Sequence, residues 1–177
     1  MGRLGDRVST SLPQWWTLRN TCMSGISRDY VGMADKSFTV DVEKGAIRRF
    51  CEALGETNPL YLDEEFARRH GYSGILAPPT FPTTFRLPVP PPWLAPLTNG
   101  AILAGEQGFS YARPIVAGDR LECTLYLRDV QEKAGRTGIM QVFDQELCAV
   151  DLSGALAVRN RRVVLYKPAA LPTSSPA

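Results

Sequence analysis

The stretch VEKGAIRRFCEALGETNPLYLDEEFARRHGYSGILAPPTF, residues 42–81, contains the pattern that decides the fold. Its first third predicts a buried helix, because apolar residues recur at intervals of three and four between charged ones. These apolar residues are Val42, Ala46, Ile47, Phe50, Ala53 and Leu54. Asp41 is the predicted N-cap, and Gly55 is predicted to end the helix in the left-handed conformation. We therefore expect this helix to form the core.

A turn-rich loop follows the helix. Residues 56–63 read ETNPLYLD, and their apolar residues are spaced too regularly for a linker. Asn58 before Pro59 predicts an Asx-type turn. A second amphipathic helix is predicted over residues 64–69, ending at Gly71. We expect the loop between the two helices to carry the chemistry.

The remainder of the chain predicts mostly strands. Residues 37–40 alternate and predict a first strand that leads into the helix. Four further segments alternate and are rich in Val, Leu, Tyr and Phe: residues 101–111, 120–130, 138–150 and 154–166. Residues 80–86 predict a short helix, and residues 87–96, which contain PVPPPW, predict an exposed polyproline-like loop. The order of elements indicates an α+β fold, with an antiparallel sheet of about five strands around one central helix.

The composition is that of an ordinary globular protein. Of the 177 residues 44% are hydrophobic and 21% are charged, which suits one domain with a substantial core. A net charge of +2 is too small to favour nucleic acid or an anionic membrane as a partner. The one basic cluster, Arg159, Arg161 and Arg162, is interpreted as a solvated sheet edge. Without a membrane span or a secretory signal pattern, a cytoplasmic location is expected.

The chain is predicted to divide into three parts. Residues 1–31 form an extension, disordered in part, with a Trp15-Trp16 pair that docks on the body or on a partner. Residues 32–167 form the domain, and residues 168–177 form a disordered tail. The four cysteines are widely spaced and predict free thiols in a reducing compartment and no zinc site: Cys22, Cys51, Cys123 and Cys148.

Five motifs, in the same order, resemble the MaoC-like hydratase/dehydratase family, and most closely its dehydratase N-terminal-domain branch. They are VEKGAIRRF (42–50), ALGETNPLY (53–61), ILAPPTF (75–81), GEQGFSYARP (105–114) and AGDRL (117–121). The resemblance implies the hot-dog fold, with one strand, a central helix, an overhanging loop and a four-strand meander.

The same resemblance implies a function in fatty acid metabolism. The expected substrate is an acyl thioester of coenzyme A or acyl carrier protein, interconverted between its 3-hydroxyacyl and 2-enoyl forms without a metal or redox cofactor. The expected assembly is a homodimer, or a heterodimer with another hot-dog protein.

The loop that carries catalysis in this family is altered here. Hydratases that this chain resembles have Asp-x-Asn-Pro-apolar-His after the helix, and the Asp and His act together on a water molecule. Glu56 stands at the Asp position and Tyr61 at the His position, while Asn58 and Pro59 match the motif. Pro78 replaces a second family histidine. Glu56 and Tyr61 are therefore the candidate catalytic positions, both substituted, and tyrosine with a reference pKa of about 10 is a poor base.

The resemblance also implies a substrate groove. Its predicted residues are Asn58, Pro59, Pro79, Thr80, Phe81, Glu106 and Gln107. Structural roles are the alternatives: Glu56 can cap nearby N–H groups, and either Glu106 or Gln107 must face the helix layer because they alternate on a strand. The only histidine, His70, is interpreted as an exposed residue at a helix end. Residues 88–92 are predicted to shape the entry of the groove.

Three functions are compatible with these residues. The first is a catalytically degenerate protomer that supplies the groove to an active homologue with an intact Asp/His loop. The second is a self-sufficient hydratase or thioesterase that uses Glu56, with Glu106 or Asp63. The third is a non-enzymatic acyl-thioester-binding scaffold, favoured by the loss of both family histidines.

Overall fold

One five-stranded antiparallel sheet forms the frame of the molecule. The computed structural model describes residues 25–97, 99–135 and 138–169. The strands are β1 (Phe38–Asp41), β2 (Gly100–Tyr111), β3 (Arg120–Gly135), β4 (Gly138–Val150) and β5 (Leu156–Pro168). Their order across the sheet is β1-β3-β4-β5-β2.

The strand order corrects the expected four-strand meander. Only β3, β4 and β5 are consecutive neighbours, while β2 crosses to the far side and pairs with β5. β1 and β2 are therefore the two edges of the sheet. Alternation of apolar residues identifies a strand but carries no information about its partner, and the four-strand meander was wrong for that reason.

In the described part of the chain between β1 and β2 lie three α-helices: α1 (Lys44–Leu54), α2 (Pro59–Leu62) and α3 (Glu64–Arg69). The left-handed end of α1 at Gly55 is confirmed, with φ of 66°. Asp41 is the last residue of β1, so the predicted N-cap was wrong; Glu43 takes this position without a side-chain bond. The buried face of α1 centres on Ile47 and Cys51, whereas Leu54 is 56% exposed at the C-terminal end of the helix.

The inner face of the sheet packs against α1 and a 3-10 turn, Phe81–Thr84. Burial alternates along β3 and β4, as the period-two pattern predicted. The proline-rich loop is only partly exposed, because Trp93 in the turn Pro92–Leu94 is fully buried. The large apolar area of the indole outweighs the preference of the surrounding prolines for an exposed loop.

The first described residues also pack on the sheet. Ile26 is buried, and its N–H donates to the Oε1 of Gln141 on β4 at 2.7 Å. Cys51, Cys123 and Cys148 are free thiols. The Trp15-Trp16 pair, Cys22 and most of the predicted tail lie outside the described residues. Within the described ranges, no helix is long and apolar enough to cross a membrane.

Candidate functional site

The altered loop after α1 is held by its own side chains. The Oε1 of Glu56 accepts the backbone N–H of Thr57 at 2.9 Å and that of Asn58 at 3.0 Å. The Oδ1 of Asn58 accepts the N–H of Leu60 at 3.0 Å, which caps α2 and confirms the predicted Asx-type turn. Pro59 follows at the first helical position. The Glu56 carboxylate is therefore already engaged in ordering the loop.

Tyr61, at the family's histidine position, remains a protonated phenol. Its side chain is half-buried, and burial raises its pKa, with a further increase from the negative charge of Glu56 nearby. A neutral phenol donates a hydrogen bond but does not remove a proton from water at neutral pH. Tyr61 is thus suited to orient a bound carbonyl and unsuited to serve as a general base.

Tyr111, which was not among the predicted site residues, joins the two loops to the edge strand. Its hydroxyl donates to the carbonyl oxygen of Pro79 at 2.8 Å. Burial raises the pKa of Tyr111 to about 12, and the neighbouring Tyr61 adds to this increase. The loop of residues 56–61, the loop around Pro79 and the inner face of β2 therefore meet at one place. The sequence contained one signal for Tyr111: alternation within GEQGFSYARP puts it on the same face as the predicted residue Gln107.

Tyr111→Phe is expected to reduce stability by about 1 kcal/mol near pH 8, because it removes the bond to Pro79. The folded state binds the phenolic proton more tightly than the unfolded state, so this stability is present below pH about 10 and is lost as pH rises through about 12. Tyr111 is 37% exposed, so solvent screening makes the loss smaller than the full pKa difference implies. Urea unfolding of both proteins at pH 8 and at pH 11 checks this. If the gap between wild type and variant stays the same at both pH values, Tyr111 does not titrate as described.

The three residues of the Pro79 loop have different roles. Pro79 and Thr80 are exposed beside Tyr111, while Phe81 is only 3% exposed. The Phe81 ring packs edge-to-face on Phe50 of α1 at 5.4 Å between centroids. Pro79 and Thr80 are therefore open to solvent, and Phe81 anchors the loop to the core.

Glu106 and Gln107 point to opposite faces of β2. Gln107 faces inward, and its Nε2 donates to the Oδ1 of buried Asn160 at 3.1 Å. Glu106 lies on the outer face, where its exposed carboxylate is 3.4 Å from Arg161. The structure brings Gln107 to the inner face with Tyr111 and places Glu106 across the sheet from the loop of Glu56.

Two other polar residues lie away from this site. Asp63 caps α3, since its Oδ1 accepts the N–H groups of Glu65 and Phe66. His70 is exposed at the end of α3, with its Nδ1 2.8 Å from the carbonyl oxygen of Phe66, as interpreted from the sequence. Both residues serve the ends of a short helix.

The curled sheet around one helix, with an Asn-Pro loop at the end of that helix, defines a hot-dog protein of the MaoC-like hydratase/dehydratase class. A family model described as FAS1-like, dehydratase domain region, matches residues 29–159. The chain belongs to this family.

Curated and solved relatives agree with this assignment. A UPF0336 protein of Thermobifida fusca is 36% identical over 116 residues, which cover 62% of this chain and 76% of the relative. The ChsH1-ChsH2 complex of Mycobacterium tuberculosis is similar in structure, with a TM-score of 0.65, 25% identity, and coverage of 81% of this chain and 89% of the other. The HadBC (3R-hydroxyacyl-ACP dehydratase) complex of the same organism has a TM-score of 0.64 at 21% identity, covering 77% and 97%. The family and the fold expected from the sequence are confirmed.

Proposed function

We propose that this chain is the substrate-binding subunit of an acyl-thioester hydratase/dehydratase and has no working acid–base pair of its own. One observation carries the proposal: in the loop of residues 56–61, the Glu56 carboxylate accepts two backbone N–H groups and Tyr61 is a protonated phenol. The substrate is an acyl thioester of coenzyme A or acyl carrier protein, interconverted between its 3-hydroxyacyl and 2-enoyl forms.

The chemistry of hydration explains why a second chain is needed. A base must activate water, an acid must deliver a proton to the α-carbon, and hydrogen-bond donors must stabilise the developing enolate oxygen. This chain offers donors, among them the Tyr61 hydroxyl, but the Oε1 of its loop carboxylate already accepts two backbone N–H groups, and its only histidine, His70, lies at the end of α3. An active homologue with an Asp/His loop supplies the base and the acid.

The edge strand β2 is the proposed surface for that homologue. β2 is exposed along almost its whole length, and it carries Tyr111 of the site on its inner face. An unpaired strand edge is a template for pairing with another chain. A partner paired along β2 would lie next to the two tyrosines and the Pro79 loop. The two similar solved structures described above are both complexes.

Hydration of crotonyl-coenzyme A tests the proposal. The purified chain alone is expected to show no activity above background, and activity is expected when a homologous chain with an intact Asp/His loop is added. Glu56→Gln is expected to keep the activity of the mixture within about threefold, because the Gln Oε1 still accepts both N–H groups.

The matched control is an Asp→Asn change in the loop of the added chain, which should abolish the activity of the mixture. The opposite pattern overturns the proposal: activity of this chain alone, lost on Glu56→Gln, would identify a self-sufficient hydratase with an altered loop. Binding of the thioester without activity in either case would instead favour a non-enzymatic scaffold.

A further inference from the structure

A polar cluster lies on the inner face of the sheet, where an apolar core is expected. Arg162 on β5 is the cross-strand neighbour of Gln145 on β4 and of Gln107 on β2. Gln107 is bonded to Asn160, which is fully buried and whose Nδ2 donates to the carbonyl oxygen of Pro82 at 3.3 Å. We call Gln107, Gln145, Asn160 and Arg162 the inner-face cluster.

Arg162 is a cation without an anion. Its NH2 group reaches the carbonyl oxygens of Pro82 and Phe85, both at 3.4 Å, which is long for a hydrogen bond. Its Nε is buried and has no hydrogen-bond partner among the described residues, and none of their carboxylates forms an ion pair with it. Burial lowers the pKa of Arg162, and the positive charge of Arg86 lowers it further.

Gln145, the cross-strand neighbour of Arg162, also has a buried N–H donor without a partner among the described residues. Its side chain is 5% exposed, and its Nε2 has no hydrogen-bond partner in the described part of the chain. Both groups without a partner are N–H donors, and they lie on neighbouring strands of one face. Buried donors and buried charges are normally paired. A water molecule accepts hydrogen bonds from such donors but does not neutralise a guanidinium, whereas a carboxylate does both.

The position of the cluster relates it to the tyrosine site. Gln107 and Tyr111 are four residues apart on the inner face of β2, which corresponds to about 13 Å along the strand. The segment from Pro79 to Phe85 follows the same course, since Pro79 contacts Tyr111 while Pro82 and Phe85 contact Arg162. Arg162 lies one strand in from the open edge, and Gln107 on that edge is exposed. The inner face of β2 and the segment from Pro79 to Phe85 therefore both run from the tyrosines to the cluster.

We propose that Arg162, with Gln145 and Gln107, binds the terminal carboxylate of an acyl chain whose thioester end lies at Tyr61 and Tyr111. The inference rests on the proposed function and names its substrate class, an ω-carboxyacyl thioester. If the acyl chain runs parallel to β2, the length of strand from Tyr111 to Gln107, about 13 Å, corresponds at about 1.2 Å per bond to about eleven bonds between the thioester carbonyl carbon and the carboxylate carbon.

Titration calorimetry with two coenzyme A thioesters tests the inference on the full chain. One thioester is the monothioester of dodecanedioic acid, with a terminal carboxylate, and the other is the dodecanoyl thioester, with a terminal methyl group. The wild-type chain is expected to bind the first at least about tenfold more tightly, because a charge-assisted bond to a partly buried guanidinium is stronger than a neutral contact.

The variant Arg162→Gln is expected to bind both thioesters with the same affinity. Arg161→Gln is the matched control, since Arg161 is the next residue along β5 but lies on the outer face with Asp144 and Glu106. This variant should keep the full preference of the wild type. Arg162→Met is expected to raise the melting temperature of the free chain by about 2–4 °C, because an unpaired, partly buried charge is removed. A melting temperature at or above that of the wild type shows that the Arg162 variants fold.

The outcomes separate this inference from the proposed function. If both thioesters bind the wild type equally well, or if the preference survives in Arg162→Gln, the carboxylate site is wrong and the proposed function stands. A lower melting temperature in Arg162→Met, together with equal binding of both thioesters by the wild type, would assign Arg162 a structural role and also overturn the site. If neither thioester binds, the proposed function fails together with the inference.

Discussion

Phe81→Ala is expected to lower the free energy of unfolding by about 3–5 kcal/mol, a large part of the stability of a domain of this size. The side chain is 3% exposed and contacts two rings edge-to-face, Phe50 at 5.4 Å and Phe85 at 6.0 Å between centroids. Truncation removes buried apolar area and leaves a cavity that two stiff rings do not fill. Urea denaturation followed by circular dichroism measures the change.

The same substitution is expected to weaken ligand binding. Phe81 connects the Pro79 loop to α1, so its loss releases the carbonyl that holds Tyr111. Leu152→Ala is the control, because Leu152 is also a large apolar residue but is 82% exposed in the turn between β4 and β5. It should change stability by no more than about 0.5 kcal/mol. A loss below about 1 kcal/mol in Phe81→Ala would mean that the loop is not anchored through this ring.

Ile102→Lys combined with Leu103→Lys is expected to weaken association with a hot-dog partner by about 100-fold or more. Both residues are 58% exposed on the edge strand β2. If a partner covers these residues, each substitution removes about 1.5–3 kcal/mol of favourable apolar burial from the free energy of association. Lysine on an edge strand also opposes pairing. A loss of about 2.7 kcal/mol or more in the free energy of association corresponds to an affinity about 100-fold lower or weaker still.

Sedimentation velocity of the mixed chains measures that association. Leu152→Lys is the matched control, since it places the same charge on an exposed apolar residue far along the chain from β2. It should leave the mass of the complex unchanged. If the double variant still forms the complex with wild-type affinity, the partner does not bind along the β2 edge.

Local patterns predicted the elements of the fold but not their arrangement. The helix period of residues 42–54 and the alternation of the later segments depend on near neighbours, and the structure has helices and strands close to the predicted positions. The pairing of β2 with β5 joins segments about fifty residues apart, and no residue type in either strand specifies it. Local patterns also failed to predict the burial of Trp93, because residues distant in the sequence decide whether an indole is covered.

In the candidate site, too, features that depend on near neighbours were predicted and contacts across the fold were not. The turn at Asn58 and the capping role of Glu56 depend on backbone groups within two residues, so the sequence motif contained them. Tyr111 was missed because its contact with Pro79 is formed across the fold. The three arginines of β5 were interpreted together as a solvated edge. In the structure β5 is an inner strand, and alternation turns Arg162 inward while Arg159 and Arg161 remain exposed.

The irregularity in β2 decides which of its side chains face inward. Ala104 pairs with Val164 and Glu106 with Val163, so Gly105 is one extra residue in the strand, and a Cβ there would lie 2.7 Å from the Cδ1 of Leu165. The extra residue separates the strand into an apolar half, which includes Ile102 and Leu103, and a polar half that ends at Tyr111. Because the extra residue shifts the alternation, even-numbered residues face inward before Gly105 and odd-numbered residues face inward after it, so a deletion of Gly105 would turn the side chains of one half of β2 to the opposite face.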